Sequence, residues 1–338
     1  MLKKQPGGWQ TVLSLDDTDR KLLNLLQAEF PLAPAPFASL GERLGISEAE
    51  TIERVSRLKS DRVIRQISAI FDSRALGYQS ALAAFRVPEE RLDQVAAAIS
   101  EQPGVSHNYA RNHAFNLWFT LTVPPGEDPR AGVERLASEN NISRFLYLPT
   151  LRVFKVAVQF DMIGMESQSQ AQSPPVEIEQ AAEPIDADPE LVRQLQKDLD
   201  LVPRPFLSQA QAAGLPEEEL LERARLLQKH GVMRRFAAVL HHRKAGFAAN
   251  GMGVWAVPKD RVEEVGRAIA AFPQVTHCYE RPTYPGWPYS VFSMIHSQTP
   301  EGCRQVAEEI SRKTGIKDFD LLFSTKEYKK ARVKYFEG

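Results

Sequence analysis

FRVPEERLDQVAAAISEQPGVSHNYAR at 85–111 and WAVPKDRVEEVGRAIAAFPQVTHCYER at 255–281 are one passage written twice, aligned without a gap. Each copy runs from an apolar strand pattern ending in Val-Pro, through an amphipathic helical pattern, into a strand that alternates up to an arginine. The likeness continues outward on both sides. RLGIS at 43–47 matches AAGLP at 212–216, DRVIRQISAIF at 61–71 matches HGVMRRFAAVL at 230–240, SRALGY at 73–78 matches HRKAGF at 242–247, and YLPT at 147–150 matches LFST at 322–325. A repeat this long is a duplicated two-domain unit, not a solenoid module.

Within each unit the hydrophobic period changes from helical to alternating. Residues 15–28 place Leu15, Leu22, Leu23 and Leu26 on one helical face, and two more amphipathic segments at 37–44 and 48–59 are parted by Gly45 and the cap candidate Ser47. VIRQISAIF then alternates as a strand, so three helices and a wing predict a winged helix-turn-helix over 12–72. A second is predicted over 189–241, with Pro216 opening its third helix. After each comes the order βαββαβ, a ferredoxin-like domain over 73–160 and again over 242–338. The Gln-, Ser-, Pro- and acid-rich stretch 161–188 between the copies reads as a flexible linker. The expected fold is therefore α+β, a tandem duplication of winged helix-turn-helix plus ferredoxin-like domains. That architecture resembles the Lrp/AsnC regulators, which implies DNA binding by the first domain type and small-ligand sensing by the second.

The composition narrows the classes. The 338 residues are 43% hydrophobic and 25% charged, with 42 basic against 43 acidic side chains. That balance disfavours a protein that blankets nucleic acid. Two cysteines, Cys278 and Cys303, without CxxC spacing exclude disulfide scaffolds, zinc ribbons and cysteine-held iron–sulfur clusters. Neither a long apolar run nor a signal sequence is present, so the expected location is the cytoplasm, with no membrane partner. The third helices also argue against DNA. They open SEAETIER at 47–54 and PEEELLER at 216–223, which puts Glu48, Glu50, Glu53, Glu217, Glu218, Glu219 and Glu222 where a recognition helix offers donors to bases. Acids in a first turn also suit the helix dipole, so the regulator stays as an alternative.

Chemistry concentrates where the second ferredoxin-like strand leads into the third. There the sequence reads GVSHNYARNHAFNLWFTL at 104–121 and QVTHCYERPTYPGWPYSVFSMIH at 274–296. Alternate strand residues share a face. His107, Tyr109 and Arg111 therefore line up, as do His277, Tyr279 and Arg281. The first hairpin adds His113, Phe115 and Trp118; the second, longer and stiffened by prolines, adds Tyr284, Trp287 and Tyr289 before His296. In KEYKKARVKYF at 326–336, alternation puts Lys326, Tyr328 and Lys330 on one face, with only Arg152 and Lys155 in the comparable first-half stretch.

On these residues the chain resembles the sirohaem (siroheme) decarboxylases, Lrp/AsnC-like proteins made of two kinds of subunit, and in particular their fused NirDL form. The resemblance covers nearly everything but the linker. It implies removal of carbon dioxide from the acetate side chains on rings C and D of sirohaem, giving 12,18-didecarboxysirohaem in haem d1 biosynthesis. It implies no cofactor, since the iron enters with the substrate. Sirohaem and its product are the expected partners, with a homo-oligomer or other haem d1 proteins as further associates. Such a ligand is flat, apolar and rimmed by carboxylates, so aromatic faces and cations should meet it. The expected proton donors are His107 and His277, with Tyr109 and Tyr279 as relays or orienters and Arg111 and Arg281 holding the reacting acetate. His113, Trp118, Trp287, Tyr289, Lys326, Lys329 and Lys330 are the expected substrate contacts, and His113 and His296 could also reach the iron. The alternatives are a haem- or metabolite-sensing regulator and a sirohaem carrier without turnover.

Overall fold

The computed structural model describes residues 15–28, 30–156, 187–240 and 249–337. The expected linker, apart from Ala187 and Asp188, and the 242–247 copy of SRALGY lie outside the described residues. In the first half the order is α1 (Asp17–Ala28), α2 (Pro36–Leu44), α3 (Glu48–Ser60), β1 (Ile64–Phe71), β2 (Gln79–Phe85), α4 (Leu92–Glu101), β3 (Val105–Arg111), β4 (Leu117–Val123), α5 (Pro129–Glu139), β5 (Phe145–Pro149) and β6 (Arg152–Val156). The second half gives α6 (Pro189–Leu195), α7 (Phe206–Ala212), α8 (Glu217–Lys229), β7 (Met233–Leu240), β8 (Ala249–Trp255), α9 (Val262–Ala270), β9 (Val275–Glu280), β10 (Val291–Ser297), α10 (Pro300–Thr314) and β11 (Phe319–Lys330).

Local signals set the helix ends. Gly45 takes the left-handed conformation (φ 71°) after α2, and Ser47 Oγ accepts from the Glu50 amide at 3.2 Å to start α3. The wing, however, departs from expectation. Each unit supplies a single strand, and β1 pairs antiparallel with β7, Ile64 opposite Leu240 and Phe71 opposite Met233. One lone strand leaves a row of unpaired backbone groups, and its copy in the other half satisfies them. The two helix-turn-helix units consequently share one core, in which Leu22, Leu26 and Phe37 join Leu191, Phe206 and Phe236. The Phe30 ring bridges them, 6.5 Å from Phe206 and 5.2 Å from Phe236.

The ferredoxin-like domains form as expected except at their last strands. In the first half the order is β5-β2-β4-β3, in the second β11-β8-β10-β9, with the helices on one face of each. In the first half the last strand of the βαββαβ order is followed by a further one, since β5 ends at Pro149 and β6 starts at Arg152. β5 pairs with β2 of its own domain, whereas β6 crosses to pair with β9 of the other. β11 does the same without a break: Phe319–Phe323 pairs with β8 and Ser324–Lys330 with β3. Each half thus lends a strand to the other, and nine strands form one ladder. The faces turned away from the helices meet around Trp118, Leu148, Trp287, Phe292 and Leu322. No helix among the described residues is long and apolar enough to cross a membrane.

Candidate active site

Two buried polar groups establish which way the key strands face. Asn108 in β3 points at α4, its Nδ2 donating to Ala96 O at 2.8 Å and Ser100 Oγ at 3.0 Å. Cys278 in β9 points at α9, its Sγ 3.6 Å from Gly266 O. Alternation then turns His107, Tyr109 and Arg111, and likewise His277, Tyr279 and Arg281, to the face away from the helices. Both rows are formed. Imidazole and phenol centroids lie 6.2 Å apart in the first and 6.1 Å in the second, and the guanidinium stands 5.8 Å and 5.2 Å from the tyrosine ring.

The exchanged strands complete these rows. Lys330 of β11 lies opposite His107, and Glu327 opposite Tyr109. At the second row the opposing residues come from β6, Val156 opposite His277 and Val153 opposite Tyr279. One row is flanked by charge and the other by valines. Glu327, Val153 and Val156 were not singled out from sequence, because which strand flanks a row depends on the exchange between halves.

The expectation that Lys326, Tyr328 and Lys330 share a face is corrected. β11 carries register shifts between Ser324 and Lys326 and between Glu327 and Lys329, and each extra residue reverses the parity of the strand positions after it. Lys326 Nζ binds Asp93 of α4 at 2.7 Å, the Tyr328 hydroxyl donates to the same carboxylate, and Lys329 Nζ donates to Ser100 O at 2.7 Å and Gln102 O at 3.0 Å. These three clamp the helix side. Only Lys330 joins His107. Their first-half counterparts behave alike: Arg152 pairs with Glu263 of α9 at 2.9 Å and Lys155 Nζ donates to Phe272 O at 3.0 Å.

The arginines are spent in a reciprocal way. Arg111 donates Nη1 to Leu322 O of β11 at 2.9 Å, and Arg281 donates Nη1 to Leu148 O of β5. Each half therefore grips the other through a guanidinium. Both Nε atoms are buried without a partner, and among the described residues neither arginine has a carboxylate within ion-pair distance. Burial pushes both guanidinium groups down to about 10.

The histidines are each held by the hydroxyl that precedes them. Ser106 Oγ lies 3.0 Å from His107 Nδ1, and Thr276 Oγ1 lies 2.9 Å from His277 Nδ1. Thr276 Oγ1 also lies 2.8 Å from His296 Nε2. Neither hydroxyl was singled out from sequence; the signal was a hydroxyl residue directly before both histidines. Burial, with Lys330 and Arg65 adding repulsion against the nearby Glu327, pushes His107 down to about 4, so it is neutral at neutral pH. His296 is lowered by burial and Lys330, and His113 by burial against the opposing pull of Asp320 and the Phe115 amide.

The aromatic hairpins pack onto each other. Pro285 and Gly286 (φ 79°) form a tight turn closed by reciprocal Tyr284–Trp287 backbone bonds of 2.9 and 2.8 Å. The loop reaches across to the first half, where the Tyr284 hydroxyl donates to Tyr147 O. Trp287, only 1% exposed, packs on His113 (5.4 Å), Phe115 (5.8 Å), Trp118 (5.5 Å) and Tyr289 (5.0 Å). Trp118 is equally buried and donates Nε1 to Phe115 O at 2.6 Å. The expected stacking tryptophans thus fill the space between the sheets; His113 and Tyr289 sit half-buried at its margin.

In the third helices three arginines are held in ion pairs. Arg54 pairs with Asp16, Asp19 and Glu50, Arg57 with the fully buried Asp19, and Arg223 with Glu219 and Asp188. Glu217, placed toward a DNA groove from sequence, is instead 6% exposed and paired with Arg204. Among the described residues no group of three His, Cys, Asp or Glu side chains is placed to hold a metal.

Residues 75–155 and 244–329 match the family model of the AsnC-like ligand binding domain, and residues 19–65 and 188–234 that of the siroheme decarboxylase NirDL-like HTH domain. A siroheme decarboxylase of Hydrogenobacter thermophilus is 43% identical over 317 residues, 94% of each chain. The siroheme decarboxylase NirDL subunit of Paracoccus denitrificans is 35% identical over 93% of this chain and 96% of its own. A crystal structure of siroheme decarboxylase NirDL in complex with an iron-uroporphyrin III analogue superposes with a TM-score of 0.75 at 38% identity, covering 95% of both chains. With its two decarboxylase-type helix-turn-helix units, its two AsnC-like domains and relatives matched along almost their whole length, the chain belongs to the siroheme decarboxylase family in its fused NirDL form.

Proposed function

We infer that this chain decarboxylates sirohaem, converting the acetates of rings C and D to methyl groups as a step of haem d1 assembly, with no cofactor beyond the iron that the substrate brings. The observation that carries this reading is the pair of buried guanidinium groups, Arg111 and Arg281, each with an unused Nε–H and no carboxylate in reach among the described residues. A buried cation without a counter-charge is costly, and a carboxylate-bearing ligand removes the cost. Arg111 and Arg281 hold a reacting acetate beside the histidine of the same row, and Lys330 receives another carboxylate at the first row. Loss of carbon dioxide leaves an electron pair on the methylene carbon, which the conjugated ring delocalises until a proton arrives. His107 and His277 are the groups placed to deliver it, and carboxylates arriving with the substrate would raise the lowered affinity of His107 for protons. At the second row, Val153 and Val156 put two apolar side chains opposite Tyr279 and His277, which favours departure of neutral carbon dioxide.

The regulator reading has less support, because Arg54, Arg57 and Arg223 are already neutralised within their own units. Anaerobic incubation with sirohaem in metal-free buffer, followed by mass analysis of the extracted tetrapyrrole, tests the proposal. The expected product has lost two carbon dioxide units. Unchanged sirohaem together with tight, operator-selective DNA binding would sink it. Size-exclusion chromatography, alone and with other haem d1 proteins, tests the homo-oligomer or the association with those proteins that the resemblance leads one to expect.

A further inference from the structure

Thr276 offers a single hydroxyl hydrogen to two imidazole nitrogens, His277 Nδ1 at 2.9 Å and His296 Nε2 at 2.8 Å. One hydrogen cannot satisfy both, so one of the rings must itself donate to Oγ1. The chain therefore has a direction. With His277 presenting Nε2–H toward a ligand, its Nδ1 accepts from Thr276, and Oγ1 accepts from His296 Nε2–H. A neutral imidazole is a very weak acid, and it can surrender Nε2–H readily only as Nδ1 gains a proton. We propose that Thr276 and His296 are positioning residues that form a proton relay behind His277, supplying its Nδ1 while its Nε2–H protonates the decarboxylated carbon.

The step balances. The bond from the acetate methylene to its carboxylate breaks, carbon dioxide leaves, and the electron pair left on carbon takes the proton from His277 Nε2. His277 Nδ1 takes the Thr276 hydroxyl proton, Oγ1 takes the proton of His296 Nε2, and His296 Nδ1 takes one from water. Net uptake is one solvent proton per carboxylate lost. After product leaves, proton exchange of the two rings with water and a turn of the hydroxyl restore the starting direction.

Among the described residues the relay is present in the second half and not in the first. Ser106 holds His107 Nδ1 at 3.0 Å as Thr276 holds His277, but among the described residues no second imidazole stands behind it. In the β4 register, the position that His296 occupies in β10 opposite Asn250 is taken by Thr122 opposite Ser80, and the Thr122 hydroxyl is bonded to Ser80 Oγ at 2.7 Å. Equal folds thus carry unequal proton supplies, which assigns relayed protonation to one of the two acetates.

This inference rests on the decarboxylase reading, and the test separates the two. Thr276→Val keeps the shape and removes the hydroxyl, Thr276→Ser restores it, and His296→Asn keeps a hydrogen-bonding group that cannot pass a proton through. Single-turnover reactions with sirohaem are followed by mass, in water and in deuterium oxide, and binding is measured from the tetrapyrrole absorbance. For Thr276→Val and His296→Asn the expected result is unchanged affinity, a roughly 100-fold slower loss of one carbon dioxide with the monodecarboxylated species accumulating, and an altered solvent isotope effect. Thr276→Ser recovers most of the rate. Wild-type rates in Thr276→Val, or equal slowing in Thr276→Val and Thr276→Ser, overturn the relay while leaving the decarboxylase reading intact. Failure of the wild-type protein to consume sirohaem overturns both.

Discussion

At the scale of single residues, the site is organised by what each polar group lacks. Arg111 and Arg281 hold backbone carbonyls of the opposite half and keep an unsatisfied Nε, so they join the halves and retain capacity for an anion. His107 is held neutral by burial and by the cations Lys330 and Arg65. Its folded-state pKa, about 4, lies below the ordinary 6.5, so the unfolded chain binds the extra proton first. Its contribution to stability is complete above pH 6.5 and is lost as the pH falls toward 4. Chemical denaturation across that window should show a loss approaching 3 kcal/mol, as an order of magnitude, and His107→Gln should flatten the dependence. An unchanged slope in the variant would show that another group governs acid stability.

At the scale of elements, the two bulges in β11 decide which basic residue joins the His107 row. Without them Lys326, Tyr328 and Lys330 would share a face; with them Lys326, Tyr328 and Lys329 clamp α4 while Lys330 turns to His107. Two neighbouring lysines should therefore respond differently to alanine. Lys329→Ala removes two bonds to carbonyls at the end of α4 and should lower stability by about 1 kcal/mol, read as a drop in Tm. Lys330→Ala should leave Tm within a degree or so and weaken binding of iron-uroporphyrin about 3- to 10-fold. If the two variants exchange these phenotypes, the bulge assignment is wrong. The long hairpin of the second half acts at the same scale: its Pro285-Gly286 turn inserts Trp287 against Phe115 and Trp118. Trp287→Ala is expected to cost about 3–5 kcal/mol, measured by denaturant titration, because it opens a cavity between the sheets.

At the scale of the whole molecule, duplication has become interlocking. β1 pairs with β7, β6 with β9 and β11 with β3, so the contacts of a pseudo-dimer are made within one chain. Neither row of site residues is complete without the other half, since Lys330 and Glu327 come from the second half to the first row and Val153 and Val156 from the first to the second. Residues 1–160 and 185–338 produced together as separate chains should copurify as one heterodimer, seen by size-exclusion chromatography. Residues 1–160 produced alone should aggregate or pair with themselves, because β3 then lacks its β11 partner and presents an open edge. A stable monomer of that half would contradict this reading.

The sequence by itself determined the duplication, the helix order, the ferredoxin-like order and the His-Tyr-Arg rows, because hydrophobic period and strand alternation are local properties. The residues carrying the resemblance to the sirohaem decarboxylases were legible for the same reason: most of them lie in two short uninterrupted stretches, 104–121 and 274–296. Only the tertiary structure decided how the copies meet. Strand exchange depends on which edge groups remain unpaired after each half has folded, the bulges in β11 depend on the partner strand β3, and the burial of Trp118 and Trp287 depends on two sheets closing on each other. Those are long-range pairings between residues far apart in the chain, which no local pattern encodes. They place Glu327 and Lys330 beside one histidine, and valines and a second imidazole beside the other.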